Sequence, residues 1–128
     1  MVYGVWVRMV KEPEIMTENN EQRQLIQWAR TRPELQFIFH IPNESVGGLG
    51  WIARNRQLGV KKGVPDLCYP VPIGKYHGLF IEMKTETGGR LSPEQARWIE
   101  ALNTFGYRAV VAHGWKEAKR YIEEYLEG

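Results

Sequence analysis

The first regular pattern of apolar and polar positions begins at Thr17 and predicts a helix over Glu18 to Arg30. Thr17 is a favourable N-cap residue, and Pro33 marks the end of the pattern. Between them, apolar residues recur at the spacing of one helix face, at Leu25, Ile26, Trp28 and Ala29. The aromatic and branched residues from Gln36 to Ile41 follow, and they predict a short strand bounded by prolines.

A glycine-rich turn precedes a second, shorter helix. The run Trp51 to Leu58 predicts this helix, and Gly59 is suited to close it in the left-handed conformation. Two further runs, Pro65 to Val71 and Gly78 to Lys84, each predict a strand. Because only a short loop separates them, we expect the two strands to pair as an antiparallel hairpin.

The last third of the chain contains the clearest helix start. Ser92 is the N-cap, Pro93 occupies the first helical position and Gln95 lies three residues after the cap, which together predict a capping box. The near-continuous apolar run from Tyr107 to His113 predicts a strand covered by helices on both faces. A final amphipathic helix is predicted over Trp115 to Leu126.

The order of these elements, α, β, α, β, β, α, β, α, indicates a mixed α/β fold with a central sheet flanked by helices. With 128 residues, of which 43% are hydrophobic, the chain is predicted to form a single domain over residues 1–128. The apolar alternation of residues 1–12 predicts an edge strand or a dimerisation segment. We find neither a transmembrane segment nor a signal peptide in the sequence, so we expect a cytoplasmic protein that does not enter a membrane.

The number and positions of the cysteine and histidine residues exclude an internal disulfide and a zinc site built on several cysteines. The single cysteine, Cys68, cannot form an internal disulfide, which fits a reducing compartment and excludes a zinc site built on several cysteines. The histidines His40, His77 and His113 lie far apart in the sequence and outside any ligand-spaced motif. We therefore interpret all three as structural or surface residues.

Basic and acidic residues are distributed unevenly, although the net charge is only +2. No acidic residue occurs between Ser45 and Pro65, and this stretch contains four cations: Arg54, Arg56, Lys61 and Lys62. It predicts a basic surface for binding, with an ordinary solvated face as the alternative. Trp51 lies in the same stretch and is interpreted as a core or interface residue, with stacking on DNA as the alternative.

Three charged residues interrupt the predicted hairpin. Asp66 begins its strand among apolar neighbours, where a carboxylate without a partner is costly. In the next strand, Glu82 and Lys84 break the apolar run and alternate onto the same face. If the strands pair, Asp66 can reach Glu82, and two carboxylates beside a lysine form an oxygen-ligand site suited to Mg²⁺. The alternative is a turn aspartate and a simple surface ion pair.

A metal at this position would suit the hydrolysis of a phosphodiester bond. The reaction needs an activated water held in line and neutralisation of a developing negative charge. A metal ion supplies activation and neutralisation, while Lys84 can orient or deprotonate the water and steady the phosphate. The residues therefore predict a metal-dependent nuclease.

Together, these motifs resemble the PD-(D/E)XK nuclease superfamily. Val64-Pro65-Asp66 with Glu82-Met83-Lys84 is similar to the superfamily signature, and Gly63-Val64-Pro65-Asp66-Leu67 is similar to its VRR-NUC branch. The resemblance runs from Thr17 to Leu126, and it also includes Glu18 with Gln22, Ile41-Pro42-Asn43, Leu91-Ser92-Pro93-Glu94-Gln95 and Gly106-Tyr107. It implies a restriction-endonuclease-like fold.

The resemblance also implies roles for the charged residues. Asp66 and Glu82 correspond to metal ligands, Lys84 to the catalytic lysine, and Glu18 to a carboxylate that the first helix contributes to the metal site. Glu21 is the alternative to Glu18. The implied cofactor is Mg²⁺, with Mn²⁺ as a substitute.

The resemblance also implies roles for several uncharged and basic residues. Gln95 corresponds to a catalytic residue, although its place in the capping box is a sufficient local explanation, and Gln22 corresponds to a supporting residue. The expected DNA contacts are Asn43, Arg54, Arg56, Lys61 and Lys62. After Asn43 this chain has Glu44-Ser45, where relatives commonly have a glycine and a basic residue.

The implied activity is that of a DNA endonuclease that leaves a 5′ phosphate and a 3′ hydroxyl. Small stand-alone domains of the family are associated with branched DNA such as Holliday junctions, and hence with replication, repair and recombination. A homodimer and a virus, phage or prophage source are further expectations. The alternatives are a catalytically inactive module that binds branched DNA and an interaction adaptor with the nuclease fold.

Overall fold

The computed structural model of the protein describes residues 16–42 and 48–128. Within these ranges the α-helices are α1 (Glu18–Ala29), α2 (Leu49–Gln57), α3 (Pro93–Thr104) and α4 (Trp115–Glu127). A 3-10 helix spans Pro33–Leu35, and the strands are β1 (Phe39–His40), β2 (Leu67–Tyr69), β3 (Leu79–Lys84) and β4 (Arg108–His113). The strand predicted over residues 1–12 lies outside the described ranges, as does Asn43.

The strands of the described ranges form one mixed sheet in the order β1-β2-β3-β4. β2 and β3 pair antiparallel, with Leu67 opposite Ile81 and Tyr69 opposite Leu79, so the predicted hairpin is confirmed. β4 runs parallel to β3 and is reached through α3, because a parallel pair requires a long crossover connection. The predicted mixed α/β fold is confirmed as well.

The central strand β3 is buried on both faces of the sheet. Leu79, Ile81 and Met83 are each at most 1% exposed and pack into the hydrophobic core with residues of α1 and α4. The alternate residues Glu82 and Lys84 lie on the other face, where both contact α3. Buried charged side chains need partners, so this second face is where a functional site is to be sought.

Two predicted strands are shorter in the structure. The run Gln36–Ile41 contains only the two residues of β1, because Pro33 starts a 3-10 helix whose turn continues into the run. The run Pro65–Val71 contains only the three residues of β2. Prolines lack the N–H that a strand ladder requires, so Pro65 and Pro70 limit β2 at its two ends.

The helix ends follow the predicted caps. The hydroxyl of Thr17 accepts a backbone N–H at the start of α1, and Ser92 forms the predicted capping box of α3. Gly59 adopts a φ of +98° after α2, as expected for a left-handed helix end. α2 itself begins at Leu49, before the predicted start, with Gly48 as its N-cap. In the described ranges, no helix combines the length and apolar character needed to cross a membrane.

Candidate active site

Asp66 is fixed at the start of β2 by hydrogen bonds to both neighbouring strands. Its carboxylate Oδ2 accepts the N–H of Met83 on β3 at 2.7 Å. Its carbonyl oxygen accepts the N–H of Ile41, directly after β1, at 2.8 Å. The antiparallel register then brings the carboxylate of Asp66 next to that of Glu82, which is the proximity that the sequence predicts.

The ionised form of the Glu82 carboxyl group is unfavourable in this position. Glu82 is only 3% exposed. Burial, the negative charge of Asp66 and a hydrogen bond with Asp66 raise the pKa of Glu82 from 4.5 to about 8, and the nearby Lys84 opposes them only in part. If both acids were ionised, they would carry more negative charge than the surrounding side chains neutralise.

Lys84 lies between the acids of the sheet and the first helix. Its Nζ is 3.3 Å from Glu18 Oε1 and 3.9 Å from Glu82 Oε2, and its side chain is 8% exposed. The structure thus brings Glu18 to the lysine. Across residues 16–42 and 48–128, no three His, Cys, Asp or Glu side chains form a cluster that could hold a metal ion. Asp66 and Glu82 are therefore the two acids that could hold a metal ion together, while Glu18 contacts the site through Lys84.

Gln95 is both a capping residue and part of the site. Its Oε1 accepts the N–H of Ser92 at 2.9 Å, which completes the capping box of α3. The same Oε1 accepts a hydrogen bond from Lys84 Nζ at 3.2 Å, and its Nε2 donates to Glu82 Oε2 at 3.2 Å. The capping box therefore locks the orientation of an amide that holds two charged residues of the site.

Glu21, the alternative to Glu18, is bonded elsewhere. It is 1% exposed, and its Oε1 accepts the N–H of Trp115 at 3.3 Å. Trp115 is the first residue of α4, whose N-cap is Gly114 and provides no side-chain acceptor. A carboxylate at the N-terminus of a helix is stabilised by the unpaired N–H groups there. Of the two acids of α1, Glu18 contacts the candidate site and Glu21 caps α4.

A histidine that the sequence does not connect to the site supports Asp66. His40 Nδ1 lies 2.9 Å from the carbonyl oxygen of Asp66 and 3.1 Å from Nε2 of Gln22. Nδ1 donates to that carbonyl oxygen when it carries a proton and accepts from Gln22 Nε2 when it does not. Gln22, predicted to support the metal site, reaches it through His40. The contact depends on His40 lying opposite Leu67, and this register cannot be read from a strand of two residues.

Gly63 brings the basic segment against the start of α3. Its φ is +90°, and a Cβ at this position would lie 2.7 Å from the carbonyl carbon of Glu94 and 2.9 Å from the nitrogen of Gln95. The pKa of Glu94 is lowered by a backbone hydrogen bond and then by the charge of Lys62. The exposed Lys61 and Lys62 therefore lie beside the helix start that carries Gln95.

The other two predicted phosphate contacts lie on α2. Arg54 and Arg56 are exposed in the last turns of this helix. The chain then passes through Gly59 and the lysine pair to Asp66. The structure thus places all four cations on the segment that leads to the carboxylate pair.

The donor set of the site fits a divalent cation. Asp66 and Glu82 offer carboxylate oxygens, which hard cations such as Mg²⁺ prefer. Burial and the negative charge of Asp66 raise the pKa of Glu82, so a positive charge beside the pair would stabilise its ionised form. His40 Nδ1 bonds to the carbonyl oxygen of Asp66 and to the amide of Gln22, so the side-chain atoms that the pair offers to a cation are oxygens.

A mixed sheet whose central hairpin carries the buried Glu82 and Lys84, with Asp66 beside them, is typical of the restriction-endonuclease-like class. The model of the VRR-NUC domain matches residues 9–116, and the chain belongs to this family of nuclease-type domains. A solved structure described as a VRR-NUC domain protein is 33% identical to the chain, with a TM-score of 0.77 over 89% of this chain and 91% of that chain. A comparison with curated proteins found no match. The predicted family and fold are confirmed, and membership implies a nuclease-type function and binding to DNA.

Proposed function

We propose that the protein is a magnesium-dependent endonuclease that hydrolyses phosphodiester bonds in DNA and acts preferentially on branched DNA. The observation that carries the proposal is the pairing of Asp66 with the buried Glu82, with the buried Lys84 beside them, on a VRR-NUC fold. A structural ion pair would balance its charges, whereas this group has an excess of acid. An acid excess in a buried position is typical of a site that binds a cation.

Asp66 and Glu82 would hold Mg²⁺ through their carboxylate oxygens, and Mn²⁺ suits the same donors. When bound, the ion supplies the activation of water and the neutralisation of charge on the phosphate. Lys84 Nζ is held by Gln95 and Glu18, so it is positioned to orient or deprotonate the attacking water and to contact the phosphate. Glu18 acts through this lysine.

The basic segment supports binding to the DNA backbone. Arg54, Arg56, Lys61 and Lys62 can neutralise phosphates next to the carboxylate pair, and contacts of this kind fix the position of DNA without reading its sequence. We therefore expect selection by the shape of DNA. The preference for branched DNA, including four-way junctions, comes from the family resemblance.

The test is the cleavage of end-labelled four-way junction, flap, nicked and linear duplex DNA in Mg²⁺ and in chelator. The wild-type protein should cut only with Mg²⁺, and Asp66→Ala and Lys84→Ala should not cut although circular dichroism shows them folded. Lys119→Ala is the matched control, because Lys119 lies on the surface of α4 in an ion pair with Glu123. If the wild-type protein binds junctions and cuts nothing, the protein is a binding module. If its binding is also indifferent to salt, it is an adaptor.

We also propose that the protein acts as a twofold dimer, which would present two sites to the two strands of a four-way junction. This proposal rests on the apolar pattern of residues 1–12, which needs a partner strand or a covering surface. Light scattering at micromolar concentration measures the mass directly. A strictly monomeric mass would count against the dimer and would leave the proposed chemistry untouched.

A further inference from the structure

Helix α2 has apolar side chains that do not pack into the hydrophobic core. None of its nine residues is buried. Trp51 is 45% exposed, Leu49 is 87% exposed, and Leu58, directly after the helix, is 76% exposed. The structure therefore does not place Trp51 in the core. Because a helix of this length is marginal without packing of its apolar side, a bound partner is the natural cover for it.

One side of α2 combines an aromatic ring with a cation. Trp51, Arg54 and Leu58 follow the three- and four-residue spacing that places side chains on one helix face. Leu49 falls on the opposite face. The whole stretch between Ser45 and Pro65 lacks acidic residues, so the charge of this face complements a polyanion.

The chemistry of this face selects one kind of polyanion. Proteins that bind single-stranded nucleic acid combine aromatic rings, on which bases stack, with cations that follow the phosphates. In a fully paired duplex the faces of the bases are already stacked on each other, and only phosphates and groove edges are accessible. A tryptophan beside an arginine therefore gains most from a base that is unpaired.

We propose that the face formed by Trp51, Arg54 and Leu58 binds unpaired bases of the DNA substrate, with Trp51 stacking on a base and Arg54 contacting the adjoining phosphate. The inference rests on the proposed function, since it names the unpaired bases of flaps and gaps as the feature that this nuclease recognises among branched DNA substrates. The segment from Leu58 through Lys61 and Lys62 leads from this face to Asp66, so a strand bound to α2 can continue along cations toward the carboxylate pair.

The experiment measures binding in chelator, where the proposed cleavage does not occur. The probes are a labelled duplex with a single-stranded gap and a fully paired duplex of the same length, followed by fluorescence anisotropy. Trp51→Ala should weaken binding to the gapped probe by about fivefold to about 100-fold and affect the paired duplex far less. Trp51→Phe keeps a ring and should restore most of the affinity. Leu49→Ala, which removes an exposed apolar side chain from the opposite face, should bind both probes like the wild type.

Three results would overturn the inference. The first is an unchanged affinity of Trp51→Ala for the gapped probe, and the second is an equal loss on both probes. The third is a lower oligomeric mass of Trp51→Ala with unchanged affinity, which would show that this face joins two copies of the chain. Cleavage of the same probes by the wild-type protein in Mg²⁺ is scored separately, so a failure of the nuclease proposal is distinguished from a failure of the stacking proposal.

Discussion

Replacing Glu21 with alanine should destabilise the fold without abolishing cleavage by the folded protein. Glu21 Oε1 is the acceptor for the N–H of Trp115, and α4 has no other side-chain cap. Loss of a helix cap costs about 1 kcal/mol, and loss of a partly buried negative charge at a helix N-terminus costs up to about 1 kcal/mol more. For a domain of this size, a combined loss of about 2 kcal/mol lowers Tm by about 6–10 °C.

Glu21→Gln separates the hydrogen bond from the charge. Glutamine has the same shape and keeps an acceptor for the N–H of Trp115. Among the described residues, Glu21 Oε2 has no hydrogen-bond partner, so an amide at that position breaks no contact. The substitution removes the negative charge at the helix N-terminus and keeps the hydrogen bond to Trp115. We therefore expect the Tm of Glu21→Gln to lie between those of Glu21→Ala and the wild type.

The assay combines thermal unfolding with cleavage rates measured well below the lowest Tm. Glu18→Ala is the matched variant, because Glu18 lies on the same helix with its side chain 51% exposed. Loss of an exposed ion pair costs at most about 1 kcal/mol, so its Tm should change little, whereas its cleavage rate should fall because Lys84 loses a partner. The assignment of the two acids is refuted if Glu21→Ala stops cleavage at an unchanged Tm while Glu18→Ala still cuts.

Three further predictions concern the contacts around the site. Gly63→Ala should lower both Tm and the cleavage rate, since its φ is +90° and its Cβ would lie 2.7 Å from the backbone of α3. Gly48→Ala is the control, because its added Cβ meets none of the described residues within 4 Å. Equal behaviour of the two variants would contradict the close approach at Gly63. Gln95→Ala and Ser92→Ala should each cost about 1 kcal/mol through the capping box. Only Gln95→Ala should also reduce cleavage strongly, because of these two residues only Gln95 has a side chain that contacts Glu82. Equal cleavage rates of the two variants would show that Gln95 acts only as a helix cap. In chelator, Tm should fall as the pH rises from about 5 to about 8, because the folded protein keeps the proton on Glu82 whereas the unfolded chain releases it at a lower pH. Added Mg²⁺ should raise Tm most at the upper end of this range, and a Tm that rises with pH in chelator would contradict the excess of acid.

The meeting of Asp66 with Glu82 could be predicted because each step depends on local information. Alternation places Glu82 and Lys84 on one face, and a short loop makes the two strands a hairpin. The additional roles of Gln95 and His40 could not be predicted in this way. Gln95 contacts Glu82 only because α3 packs on that face of β3, and His40 reaches the carbonyl oxygen of Asp66 through a strand pairing of two residues.

The choice between Glu18 and Glu21 as the acid of the site could not be made from the sequence either. Both acids lie in the first turn of α1, where either is favourable, so local sequence does not distinguish them. The packing of α1 against α4 buries Glu21 at the start of α4, and Glu18, one turn earlier, remains at the edge where Lys84 emerges. Tertiary packing thus places Glu21 where it stabilises the start of α4 and Glu18 where it contacts the candidate site.

The same packing explains why the site should require a cation. Lys84 is the lysine within reach of Glu82 and Glu18, and Asp66 adds a further carboxylate. A single positive charge cannot neutralise three acids, and burial together with the charge of Asp66 raises the pKa of Glu82 to about 8. A protein selected only for stability would place an apolar residue at this position of a buried strand. Two hydrogen bonds, from Met83 to Asp66 and from Gln95 to Glu82, instead hold the acids together, which is expected when a divalent cation completes the site.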